Sequence, residues 1–210
     1  MPSPTESPQI ATPAPGFDPV EFWYLHKTKI LGLLVLFLVA LTAYAVQQMI
    51  ERQQKAASTR AFAEAKTAAD FEKVIAEHEG TIAAANAHLR LAELQRQEGK
   101  LDAATATLKR FVEQHPQHPM ISGAWLSLGG NQEAQGKADE ALVTYQKVVT
   151  TYPLSYAAPV ALLAQARLQK AKGQNELAKR TYEQIITQFQ NSDFAQQALR
   201  ESQSLQKNTP

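Results

Sequence analysis

Three glycines spaced 37 residues apart, Gly99, Gly136 and Gly173, constrain this chain more than any other feature. Each stands in a short polar stretch (EGKLDAA, QGKADEA, KGQNELA), and the residues after it recur in step. Five positions on come Ala104, Ala141 and Ala178, and four further come Leu108, Tyr145 and Tyr182. Three beyond those stand Phe111, Val148 and Ile185. Pro116 and Pro153 close the first two units, with Gln190 at the third equivalent position. The same spacing carried backwards lands on Phe71 and Val74, which marks a degenerate half-unit before Gly80.

The physical logic of such a unit is helix–turn–helix. Glycine ends the first helix where a positive φ is needed, and an acidic residue opens the second near its positive end. Small Ala lets the two helices approach, the i, i+4, i+7 apolar positions form the buried stripe, and proline stops the second helix. One pair cannot bury its own face, so the pairs stack into a solenoid. Composition agrees: 34 Ala, 22 Gln and no proline between Val20 and His115 read as helix and exclude a sandwich or barrel. The predicted fold class is all-α, a single transmembrane helix followed by an α-solenoid of about three and a half helix–turn–helix repeats.

The membrane helix comes from a second feature. Residues 30–50 carry no charge, and their centre reads ILGLLVLFLVAL. About 20 apolar residues in a helix span the hydrocarbon layer. Phe22, Trp23 and Tyr24, with Lys27 and Lys29, stand before the run, where side chains meet lipid headgroups. The alternative is a signal peptide cleaved near Ala45, after Ala43-Tyr44-Ala45, which would release a soluble periplasmic adaptor. Against it stand a long N-terminal region holding Glu6, Asp18 and Glu21, and an apolar run that continues past Ala45. The expected layout is a disordered Pro-rich arm (1–21), the aromatic-flanked membrane helix (22–50) and a linker helix with the half-repeat (51–79). The repeats with a capping helix follow (80–206).

Trp125-Leu-Ser-Leu128-Gly129, Gly136, Ala141, Tyr145, Val148 and Pro153 resemble the tetratricopeptide repeat pattern in residue type and spacing. His88, Leu91, Ala92, Gly99, Ala104 and Pro116 in the unit before, and Leu162, Ala166, Gly173, Ala178 and Tyr182 in the unit after, follow it less fully. The period is 37 rather than about 34, and the extra residues fall in the linker after the second helix. The layout, and the segment FEKVIAEHEGTIAAANAHLRLAELQRQEGKLDAA, resemble the bacterial ancillary subunits of the Sec translocon. That resemblance implies a single-pass protein of the cell inner membrane, with its N-terminus cytoplasmic and its repeats periplasmic. It also implies partners among translocon, periplasmic chaperone or envelope-assembly components, and lipid around residues 30–50.

Tetratricopeptide solenoids bind segments of other proteins on the face lined by the first helix of each pair. By register that resemblance points to Leu89, Glu93, Arg96, Leu126, Glu133, Leu163, Arg167 and Lys170. Leu89 and Glu93 lack the cationic and amide chemistry that clamps a chain-terminal carboxylate. A mixed apolar and charged groove for a helix or extended segment is expected instead.

Chemistry of other kinds finds little support. The formal charge of +1 offers no basic excess for nucleic acid, and the absence of cysteine excludes disulfides, thiolate metal sites and cysteine nucleophiles. No phosphate loop or nucleophile elbow occurs. His115 and His118 in HPQH have metal spacing but no third ligand nearby in sequence, so they read as solvated turn residues. Neither catalytic, cofactor nor metal-binding residues are expected, and no small-molecule substrate. The function expected is a non-enzymatic, membrane-anchored scaffold for protein–protein interaction.

Overall fold

The computed structural model describes residues 19–207, and the part of the expected arm before residue 19 lies outside the described residues. Nine helices and no strand occur among the described residues. The first, α1 (Pro19–Glu64), starts ahead of the apolar run and continues well beyond it. A short α2 (Ala68–Glu77) follows. Three helix pairs come next: α3 (Ile82–Gln97) with α4 (Leu101–Gln114), α5 (Ile121–Ala134) with α6 (Ala138–Thr151), and α7 (Ala157–Ala171) with α8 (Asn175–Gln188). The last helix is α9 (Asp193–Lys207). The chain divides into two units after Gln53.

In the first unit, α1 carries a stretch long and apolar enough, by length and composition, to cross a membrane. None of that stretch is buried by protein. Leu33, Leu36 and Phe37 are each more than 60% exposed. A helix apolar on all sides needs apolar surroundings, and here no protein supplies them.

In the second unit the 37-residue period becomes geometry. Gly99, Gly136 and Gly173 take φ of +76°, +75° and +72°. Behind each, two amide N–H groups reach back to the preceding helix: Gly99 to Arg96 O at 3.0 Å and Lys100 to Gln95 O at 2.8 Å, with the same pair recurring at Gly136 and Gly173. These bonds satisfy the last carbonyls of α3, α5 and α7 and turn the chain back. The turns inside pairs are thus uniform, at residues 98–100, 135–137 and 172–174. The linkers between pairs vary, at 115–120, 152–156 and 189–192, so the departures in length fall there.

Ala104, Ala141 and Ala178 are 0% exposed, as are Phe111, Val148 and Ile185. The small side chain brings the second helix of each pair against the first, and the larger ones fill the space between pairs. Gly129 shows how tight the fit is. A Cβ there would lie 2.5 Å from Tyr145 Cε1, on a ring itself almost wholly buried.

A degenerate pair precedes the three full ones. The C-terminal turns of α1, with Ala61 and Phe62, pack on Phe71 and Val74 of α2 and on Leu91 of α3. Thr67, at the register of Ala104, instead caps α2 through a reciprocal pair with Asp70. At the other end, α9 buries Ala198 and Leu205 and leaves Gln196, Arg200 and Gln203 exposed. This gives the stack a polar outer surface.

A polar repeat also runs through the interior. Thr107, Thr144 and Thr181 donate to Gln95, Gln132 and Gln169, at 2.8, 2.6 and 2.8 Å. All six residues keep the 37-residue step. Each bond ties the second helix of a pair to the first in a largely dry place, where an unpaired amide or hydroxyl would be costly. A further tie joins successive pairs: Gln135 donates to Asp102 at 3.0 Å, and one period later Lys172 pairs with Asp139.

Candidate functional site

Two neighbouring cavities lie along the face formed by α3, α5 and α7. The larger is an open groove of about 990 Å³. Leu126 and Glu133 of α5, Leu163, Arg167 and Lys170 of α7, and Glu201 of α9 line it. The smaller, about 150 Å³, lies between α3 and α5, with Leu89, Glu93 and Asn131 on its wall. Arg96 and Ser127 border both. Each of the eight residues predicted from sequence register lies on one cavity or both. The first helix of each pair presents its i, i+4, i+7 positions to one side, and stacking aligns those rows.

The charges on this face are largely engaged with one another. Arg167 donates from Nη2 to both oxygens of Glu133, at 2.7 and 2.9 Å. The Tyr145 hydroxyl donates to Glu133 Oε2 at 3.0 Å. Burial, then the adjacent Glu133 charge, pushes the Tyr145 hydroxyl far above the usual phenol range, so it stays a donor. Lys170 donates to Glu201 at 3.1 Å, linking α7 to α9. The bonds of Arg167 and Lys170 run between successive helix pairs and that of Tyr145 within one, so residues predicted to face a ligand also hold the groove's walls together. Among the described residues Arg96 has no ion-pair partner, and it stands where the two cavities meet.

The remaining predicted positions are distributed as follows. Phe22, Trp23, Tyr24, Lys27 and Lys29 all lie on α1, where Lys27 Nζ sits 5.1 Å from the Tyr24 ring centre. Ala92 and Ala166 are buried, as are Tyr145 and Tyr182. Trp125 is half-buried between two core clusters, with Lys147 Nζ 3.7 Å from its ring centre. Pro153 is exposed in the linker after α6, where it stops the helix rather than packs.

His115 and His118 differ from their reading as solvated turn residues. Both are half-buried, with ring centres 5.5 and 5.2 Å from that of Phe111, and His118 Nδ1 accepts from the Met120 N–H. His88 lies 5.9 Å from His115, ring to ring. Among the described residues no group of three metal-capable side chains occurs.

Register alone did not single out Asn131. This side chain is 1% exposed, and neither Nδ2 nor Oδ1 has a hydrogen-bond partner. A signal for it was available: one period before and after stand Leu94 and Leu168, so an amide interrupts an apolar register position.

Comparison with known proteins places these features in context. The family model for a tetratricopeptide repeat-like domain matches residues 21–152, which takes in most of α1 as well as the first repeats. A tetratricopeptide repeat model matches residues 160–192. No curated protein matches the sequence. Among solved structures, a tetratricopeptide repeat protein from Parabacteroides merdae superposes with a TM-score of 0.56 at 15% identity, over 77% of this chain and 60% of its own. BtubC (BKLC) from P. vanneervenii gives 0.53 at 18%, over 74% and 65%. A kinesin light chain-like protein from Podosopora anserina, with nearly identical TPR-like repeats, gives 0.52 at 20%, over 74% and 89%. This chain thus spans less than two thirds of the first two structures, and the likeness is one of fold.

Proposed function

We propose that this chain, which belongs to the tetratricopeptide repeat-like family, is a membrane-anchored adaptor that receives a segment of a partner protein along α3, α5 and α7. Repeats of this family serve as scaffolds for protein–protein interaction, generally without catalysis. The observation that carries the proposal is the groove of about 990 Å³, where the half-buried aliphatic side chains of Leu126 and Leu163 alternate with charges held in place by their neighbours. That is the combination a docking helix or extended segment requires: apolar anchoring sites and a fixed polar frame.

The anchor is α1. Its apolar stretch has the length and composition of a membrane span, and the apolar run continues past Ala45, which favours retention over cleavage. Held at a membrane, the solenoid meets membrane-associated partners at raised effective concentration. The layout resemblance supports a bacterial inner-membrane setting, repeats on the periplasmic side, beside protein-export or envelope-assembly machinery. The reading needs no cofactor, metal or nucleic acid.

The test is site-specific photo-crosslinking in membranes, with the reactive group at Leu126 or Leu163 and, as control, at Glu183 on the exposed surface of α8. Capture of an export or envelope-assembly protein from the two groove positions, lost in Leu163→Glu, is expected. Equal capture from Glu183, or capture of cytoplasmic proteins alone, would overturn the proposal. A mature chain lacking residues 1–45, read by mass, would overturn the anchor.

A further inference from the structure

We propose that the linker edge of the repeat unit lies against the lipid surface of the bilayer that holds the chain; this rests on the anchor reading above. In a stack of antiparallel helix pairs, the turns within pairs fall at one end and the linkers between pairs at the other. Here the two ends differ in chemistry. Among the described residues of the second unit, seven large apolar side chains are exposed, and four of them, Ile82, Met120, Leu154 and Tyr156, lie in or beside the linkers. The other three, Val143, Leu177 and Leu199, stand singly on α6, α8 and α9. The four form a row: Ile82 shares a cavity with the 115–120 linker, Met120 shares the next with Tyr156, and Leu154 stands two residues before Tyr156. The linkers 78–81, 115–120 and 152–156 hold no lysine or arginine and a single acid, Glu79. At the other edge every turn carries a lysine: Lys100, Lys137 and Lys172.

Shape and tether both favour lipid as the occupant. The row projects rather than recedes: Leu154 is 99% exposed, so no concave wall surrounds it to receive a partner's side chain. Pro119 and Pro153 restrict the backbone just before Met120 and Leu154, so little freedom is lost when these tips insert. Aliphatic, thioether and phenol side chains on an edge without cations suit the boundary between headgroups and acyl chains, which takes apolar tips and excludes charge. Proximity comes from the chain itself. The apolar run ends at Ile50 and the repeat unit begins at Gln54, a separation of no more than about 15 Å when fully extended. A surface tethered so closely needs only weak affinity, because the bilayer is always within reach. With no lysine or arginine in these linkers, the attraction is apolar and indifferent to headgroup charge.

The chain has no cysteine, so one placed by substitution takes a fluorophore at a single position. Gln117→Cys reports on the linker edge and Lys137→Cys on the turn edge, and both residues are exposed. The full chain is reconstituted into phosphatidylcholine vesicles containing a lipid with a nitroxide quencher near its headgroup, and the vesicles are recovered by flotation. Strong quenching at 117 and weak quenching at 137 are expected, unchanged when phosphatidylglycerol replaces part of the phosphatidylcholine. Leu154→Ser removes a side chain outside the core and should leave the melting temperature as it was. It should lower the ratio of docked to undocked chains at 117 about tenfold, the worth of one large aliphatic side chain returned to water. Equal quenching at the two positions, or quenching at 117 that survives Leu154→Ser combined with Ile82→Ser, would overturn the proposal. Energy transfer between labelled copies at 117 without lipid quenching would overturn it too, and assign the row to a second copy. Chains that float with the vesicles yet show no quenching at 117 leave the anchor standing and sink the edge contact alone. Chains that do not float overturn the anchor and the edge contact with it.

Discussion

The apolar stretch of α1 and the repeats are both helical and both rich in apolar residues, yet they dispose those residues in opposite ways. In α1 the large side chains point outward on every side: Leu36 is 66% and Phe37 62% exposed. In the repeats Phe111 and Ala141 are 0% exposed, and the exposed positions are mostly polar, with a few apolar exceptions such as Val143. What separates them is period. An uninterrupted apolar run has no face to hide, whereas a stripe at i, i+4, i+7 has one that a neighbouring helix can cover. Side-chain size is therefore restricted in the repeats by packing, while the apolar stretch of α1 has no protein neighbour to restrict it. The lesson is that apolar content alone says nothing about burial.

Each half of that contrast can be broken separately. The largest loss is expected from Phe111→Ala, about 3–5 kcal/mol of unfolding free energy by denaturant titration, since the ring is fully enclosed and the site cannot collapse. The same truncation at Phe37 should leave the midpoint unchanged. Leu36→Asp inverts the pattern. It should disfavour membrane insertion by about 3–4 kcal/mol, seen as loss of the chain from the membrane fraction, while the repeats melt as before. Ala141→Leu should cost about 1–3 kcal/mol by overpacking the contact of α5 with α6, and a neutral result would mean the contact is not tight. Thr144→Val, which leaves Gln132 Oε1 without its buried donor, should cost about 1 kcal/mol and alter no contact of α1.

The smallest effect concerns acid. Burial lowers the pKa of His88, with the neighbouring His115 and Arg110 adding to it, and burial also lowers His115 and His118. Below the ordinary imidazole value of 6.5 the unfolded chain takes up protons that the folded chain does not. Stability should therefore fall as pH drops from there toward the folded-state values. The melting temperature should be lower at about pH 5.5 than at about pH 7.5, and His88→Gln should flatten that dependence. A repeat unit that melts equally at both would show these rings to be hydrated.

How much of this was legible beforehand follows from periodicity. Gly99, Gly136 and Gly173 disclosed the turns, and Ala104, Ala141 and Ala178 the close approaches, because each role admits few residue types. The row from Leu89 to Lys170 could be placed on one face by counting alone. The pairing of Glu133 with Arg167 and of Lys170 with Glu201 could not, since it depends on the angle between stacked pairs and on linkers of unequal length. The Gln–Thr ties escaped for another reason: a polar residue in an amphipathic pattern reads as surface. Recurrence of Gln95, Gln132 and Gln169 at the full period was the available sign. Asn131 was concealed in the same way, and its sign was a break in recurrence.

The main packing pairs in the second unit are between consecutive helices, with α5 on α7 and α7 on α9 as the skips. No early helix must wait for a distant strand or a remote C-terminus, so contacts close at short sequence separation, which favours fast folding. Each hairpin of helices has its docking surface ready in the one before it. The chain is therefore suited to acquiring structure progressively from its N-terminal side as it emerges from a ribosome or a membrane channel, never exposing more than one unfinished hairpin at a time.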